Sequence, residues 1–258
     1  MEKILVPTDL GEKSDLSLQY AIDMGATDKA EIILFSNAIQ EEDLPKAEEG
    51  LKETINRISS HPQADAVKIE PKTDNGPVLE GINKRLKEGK YSLICMLTHA
   101  QENLDFNVGS ISTKIAQKGK APALLVPENN QYNKINTVLI VNDFTDARAD
   151  KPAFQHLSEL TRKLGFNTVL LQAAMKGSKL TPAEDPAQTL GDVTPGKTEK
   201  VTFETYPELI DHVKEHATQM KAQMIFIPSS QVVFEKNFVG NLSRQIALAA
   251  QLPVYVHF

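Results

Sequence analysis

VGSISTKIAQKGKAPALLV (residues 108–126) and VGNLSRQIALAAQLPVYVH (residues 239–257) align without a gap at an offset of 131 residues. Gly109 falls on Gly240, Ser112 on Ser243, Ala116 on Ala247 and Pro122 on Pro253. The same offset carries LICMLTHA (93–100) onto MIFIPSSQ (224–231). The opening ILVPTD (4–9) returns as VLIVND (138–143), each a short β-rich apolar run ending in Asp. Internal repetition outranks any local pattern in deciding a fold, and the chain reads as a tandem duplication.

Within the first copy, apolar runs at residues 4–6, 32–35, 67–69, 93–97 and 123–126 alternate with helix-like segments at about 14–26, 44–58, 77–87 and 110–118. The helical segments place apolar residues three and four apart. The runs between them lack strict alternation, which suits strands covered on both faces by crossover helices. The expected fold is therefore α/β, with two tandem doubly wound, five-stranded parallel-sheet domains over residues 1–130 and 136–258 and a polar linker at 131–135. In the second copy KGSKLTPAEDPAQTLGDVTPGK (176–197) stands where the second helix belongs, and its Pro and Gly residues predict a loop.

Composition narrows the function classes. A formal charge of −6 over 258 residues argues against a general nucleic-acid binder, and all the excess acid lies in residues 1–133. No apolar stretch reaches the roughly 18 residues that span a bilayer. The opening MEKILVPTDL puts an acid and a Pro where a secretion signal needs a basic start and an unbroken apolar core, so the expected location is the cytoplasm. Cys95 is the only cysteine, which precludes an internal disulfide, and its place in LICML predicts a buried core residue.

Four features together resemble the universal stress protein family: the opening ILVPTD, the helix SDLSLQYAIDMG (14–25), the strand ending in THA (98–100), and the closing VGSISTKIAQKGKAPALLVP (108–127). The resemblance covers nearly the whole chain as two fused domains. It implies a five-stranded parallel sheet flanked by helices, with APALLVP (121–127) beside LPVYVHF (252–258) as an intramolecular pseudo-dimer. A last strand carrying Leu124, Leu125 and Val126 also needs covering on physical grounds, because an exposed apolar edge invites aggregation. The resemblance also allows a homodimer of such a chain.

Ligands of open α/β sheets collect beyond the carboxyl ends of the strands. The first copy brings Pro7, Thr8, Asp9, Asn37, Thr98 and His99 to that rim, followed by Gly109, Ser110 and Ser112; the second brings Asp143, Ser229, Ser230, Gly240, Asn241 and Ser243. The resemblance implies ATP or AMP, with Mg, as the ligand class, since nucleotide-binding members use an Asp after the first strand and a Gly-x2-Gly-x9-Gly-[Ser/Thr] loop. Such a loop lets backbone N–H groups and a helix N-terminus approach phosphate. Here Ala100 and Asn103 replace the first two glycines, and five residues separate Asn103 from Gly109. Glu102 and Asp105 lie in the loop, with no Lys or Arg between Thr98 and Ser112. The second loop, SSQVVFEKNFVGNLSR (229–244), has the same shortened length, with Lys236 and Arg244 less hostile to an anion.

Plain structural roles compete for the same residues. Gly109 and Ser110 suit a helix start, and Asp9 and Asp143 suit turns or caps after their strands. His99 is an acid–base candidate by position, but Ser230 is its equivalent. His212 and His216 have the i, i+4 spacing of a metal pair, yet without a third ligand they read as solvent-facing. No nucleophile elbow or Walker loop occurs. The sequence thus favours a non-catalytic stress-response module with a degenerate nucleotide loop, with no catalytic or metal residues, acting through a small ligand or protein partners. The alternative is an ATP- or AMP-binding sensor, with slow hydrolysis as an extension.

Overall fold

The computed structural model describes residues 2–99, 115, 121–144, 147–176, 190–228 and 239–257. In chain order the first half comprises β1 (Lys3–Pro7), α1 (Asp15–Gly25), β2 (Glu31–Ala38), α2 (Leu44–Ile58), β3 (Lys68–Asn75), α3 (Val78–Glu88), β4 (Leu93–Thr98) and β5 (Ala123–Pro127). The second comprises β6 (Thr137–Asn142), α4 (Ala147–Leu164), β7 (Asn167–Met175), β8 (Thr198–Phe203), α5 (Tyr206–Gln219), β9 (Met224–Pro228), α6 (Val239–Ala250) and β10 (Val254–His257). The loop expected at 176–197 falls largely outside the described residues, as does most of the helix expected at 110–118.

All ten strands form one sheet in the order β3-β2-β1-β4-β5-β10-β9-β6-β7-β8. Pairing is parallel within each half and antiparallel only between β5 and β10, where Val254 faces Leu125, Tyr255 faces Leu124 and Val256 faces Ala123. The expected pairing of the last strands is what joins the halves.

Alternating strand residues send two apolar layers to opposite faces. Val6, Leu34, Cys95, Leu124, Ile140, Phe226 and Tyr255 face one way, toward α1, α2 and α4. Leu5, Ile33, Met96, Leu125, Val141, Ile225 and Val256 face the other, toward α3, α5 and α6. Each layer runs unbroken across both halves. Burial of one such side chain is worth about 1.5–3 kcal/mol, so the duplicated domain gains by sharing its cores. Helix α2 illustrates the local logic: Pro45 sits in its first turn, while Ala47, Leu51, Thr54 and Ile58 form its buried stripe. Cys95 is fully buried, its Sγ donating to the Ser17 carbonyl at 2.9 Å, and burial pushes its thiol pKa up.

Residues between β5 and β6 are pinned to the first half. Asn130 Nδ2 and the Asn133 N–H donate to the Tyr20 hydroxyl at 2.7 and 3.2 Å, and the Tyr132 hydroxyl donates to Asp23 at 2.7 Å. From the second half, Lys163 of α4 reaches back to Glu2 at 3.0 Å and Asp28 at 2.7 Å.

Candidate functional site

The carboxyl ends of β1, β2 and β4 open onto a cavity of about 630 Å³. Pro7, Thr8, Asp9, Asn37 and His99 all line it. Thr98 lies buried at the end of β4 beneath this rim. Phe35, Ile82 and Met96 are among its apolar lining, while Asp43, Lys46 and Ala47 bring the start of α2 to it. Ile39 and Val78, 76% and 36% exposed, are the large apolar side chains that most face solvent among the described residues, and both border this cavity.

Local turn chemistry sets Asp9. The Thr8 hydroxyl accepts the Leu10 N–H at 2.9 Å, and Leu10 takes a left-handed φ of 67° to turn the chain out of β1. That turn leaves the Asp9 carboxylate accepting from the Gly11 N–H at 2.9 Å and from the Ser14 hydroxyl at the entrance to α1. Partial burial works to raise the Asp9 pKa, but these two hydrogen bonds and the neighbouring His99 outweigh it and hold the group below its ordinary value. Asp9 is therefore a fixed negative charge at neutral pH.

His99 has partners on both ring nitrogens, Nε2 at 3.6 Å from Asp9 and Nδ1 at 3.2 Å from Glu128. Lys13 approaches the same Glu128 oxygen at 3.5 Å. From the second half, Arg244 of α6 donates to the His99 carbonyl. Arg244 is only 4% exposed, and burial lowers its pKa. Sequence reading assigned Arg244 to its own loop; the fold instead ties it to the first half. Glu128, Ser14 and Lys46 also escaped that reading. Glu128 follows β5 just as Asp9 follows β1, which was the available signal.

Asn37 forms a wall of the cavity, its Nδ2 donating to the Gly76 carbonyl at 2.5 Å. Its Oδ1 lies against Gly81 of α3, where an added Cβ would come within 2.3 Å.

The second half repeats the turn with a different outcome. Asn142 Oδ1 accepts the Phe144 N–H at 3.1 Å, and Phe144 has φ 60°, matching Thr8 and Leu10. Yet the Phe144 ring turns inward and stacks on Phe154 at 5.7 Å between centres. Asp143 is 3% exposed, and Asn142 Nδ2 donates to buried Asp150 at 2.7 Å. Ser243 is buried within α6. Gly240 and Asn241 stand in the first turn of that helix. Gly109, Ser110, Ser112, Ser229 and Ser230 lie outside the described residues, and so does the remainder of both loops.

One expectation is corrected. His216 does not face solvent: α5 turns it into the core beside Val213 and Ala217, with Nδ1 at 3.2 Å from Glu199, and burial lowers its pKa. Its i, i+4 partner His212 stays partly exposed, so the spacing reflects the edge of a buried stripe. Among the described residues no cluster of three or more His, Cys, Asp or Glu is arranged to hold a metal ion. No described helix is long and apolar enough to cross a membrane.

Fold and cavity define a class: a tandem doubly wound α/β protein with a cavity at the carboxyl rim of the first half. The model of the Universal stress protein family matches residues 1–127, and the first half of the chain belongs to that family. No curated protein sequence matches it. A universal stress protein from Archaeoglobus fulgidus DSM 4304 shares the fold at 19% identity, with 99% of this chain and 95% of that one covered and a TM-score of 0.72. A functionally unknown protein from Pseudomonas aeruginosa PAO1 matches 100% of this chain with 92% of its own, at 12% identity and a TM-score of 0.63. A shorter universal stress protein, solved in complex with cAMP, matches 48% of this chain with 96% of its own, at 19% identity and a TM-score of 0.41.

Proposed function

We propose that this chain is a cytoplasmic, non-catalytic stress-response module whose first half senses a small ligand with a flat apolar face and no phosphate chain. The observation that carries the reading is the 630 Å³ cavity bordered by both exposed apolar side chains, Ile39 and Val78. Apolar residues scattered singly over a surface need no explanation, but a pair on one concave rim marks a binding face. Charge supports the rest of the reading. Among the described residues, Asp9 and Asp43 line the cavity against a single lysine, Lys46, so a triphosphate placed there meets net repulsion. A ligand ammonium or N–H group beside ionised Asp9 meets attraction. The second half, with Phe144 in its core, then serves as the scaffold that completes the sheet.

The second reading, an AMP or ATP sensor with Mg, is favoured by one observation: Asp9 follows the first strand and lines a cavity at the rim where nucleotides lie in α/β sheets. Calorimetric titration separates the two. Tryptamine and indole-3-acetate present one ring with opposite charge. We expect saturable heat from tryptamine, lost in Asp9→Asn, and none from indole-3-acetate, AMP, ADP or Mg-ATP at about millimolar concentration. Saturable Mg-ATP or AMP binding that disappears in Asp9→Ala transfers the conclusion to the sensor.

A further inference from the structure

A second cavity, of about 330 Å³, lies on the seam between the halves. The first half contributes Glu2, Ile4, Leu93 and Pro122 among others; the second contributes His156, Glu159 and Lys163 of α4 and Tyr255 and His257 of β10. His156 and His257 pack with ring centres 5.0 Å apart, and His156 Nε2 lies 2.6 Å from the buried Tyr255 hydroxyl. Tyr255 also pairs with Leu124 across the antiparallel seam, and Lys163 ties α4 to Glu2 and Asp28. The two imidazoles thus sit at the joint that holds the halves together.

We propose that this histidine pair is an acid-sensitive latch, and that its protonation loosens the second half from the first. At neutral pH one uncharged imidazole shares a proton with the Tyr255 hydroxyl. Once protonated, both ring nitrogens of His156 are donors, so the Tyr255 hydroxyl can only accept from it, and two cations face each other beside a third, Lys163. Glu159 and Glu2 are the acids facing the pair, and Lys163 already engages Glu2. Burial keeps both histidines below their ordinary pKa, His257 down to about 4 with help from the charge of His156. The sign follows directly. An opened seam returns the rings to about 6.5 and takes up the protons that the closed seam refuses, so closure is favoured above that value and weakens as pH falls toward 4.

Hydrogen exchange of β5 and β10 amides, corrected for intrinsic chemical rates, tests the latch at about pH 7.5 and about pH 5. His257 alone predicts a more than tenfold rise in seam opening at the lower pH. His156→Gln/His257→Gln should flatten that response, and His257→Gln alone should reduce it. His216→Gln, which alters a buried histidine inside the second half, should leave it intact. Equal protection at both pH values overturns the proposal. So does an undiminished acid response in the double variant or, should that fail to fold, in the single one. Loss of the seam response in His216→Gln counts against it equally.

Discussion

Gly81 sits in the middle of α3, where alanine ordinarily improves a helix by about 1 kcal/mol. Here the added Cβ would meet Asn37 Oδ1 at 2.3 Å and the Phe35 ring at 3.0 Å. Asn37 cannot simply rotate away, because its Nδ2 is held by the Gly76 carbonyl. Gly81→Ala is therefore expected to destabilise the protein by about 1–3 kcal/mol in urea unfolding, by overpacking. An unchanged or raised midpoint would mean that the cavity wall yields freely. Sequence alone places Asn37 at the rim, since it ends a strand, but it carries no sign of its contact with Gly81. The same limit explains Asp9 and Asp143. Both close a first strand and look equivalent; the exchange of Leu10 for Phe144 next door decides that one turn stays open while the other is sealed by a ring stacked on Phe154.

At the scale of elements, the two kinds of sheet edge differ in a way that sequence does reveal. The outer strands carry charge, Lys68, Glu70 and Lys72 on β3 and Glu199 and Lys200 on β8, which discourages further pairing. The last strands of each half are mostly apolar, with His257 closing β10, and they pair with each other. Both the topology and this seam were legible, because the duplication is gapless where it matters and apolar edges leave few alternatives. The phosphate-loop question was less tractable, since residues 100–114 and 229–238 lie outside the described residues. The seam ladder pairs three residues with three, and Leu125 opposite Val254 is fully buried. Leu125→Glu places an unpaired charge there, which costs several kcal/mol unless the halves part. Small-angle scattering should then show an expanded particle, whereas Leu125→Ala should lose about 2–5 kcal/mol and remain compact. A compact Leu125→Glu protein would show that contacts other than the seam hold the halves.

Taken whole, the molecule has two halves but not two independent cores. One apolar layer runs from Val6 through Leu124 and Tyr255 to Ile140, and its counterpart on the other face runs from Leu5 through Leu125 and Val256 to Val141. Neither half can open its end of the sheet without exposing side chains that belong to both layers. Lys163 adds an ionic tie across the same boundary, though partly exposed pairs of this kind contribute only a fraction of a kcal/mol. Tandem domains on a free linker melt separately; domains sharing a sheet melt together. At neutral pH, scanning calorimetry is expected to give a single transition, with an enthalpy of about 0.7 kcal/mol per residue near 60 °C and agreement between calorimetric and van't Hoff values. Near pH 5 the protons that the histidine pair takes up only when the seam opens weaken the boundary while leaving the interior of each layer intact. The same scan should then resolve into two transitions, and His156→Gln/His257→Gln should restore one. Two transitions at neutral pH would contradict the shared-core account outright. A single transition that merely moves to lower temperature on acidification would locate the proton-sensitive loss within a half, at groups such as His216, and not at the seam.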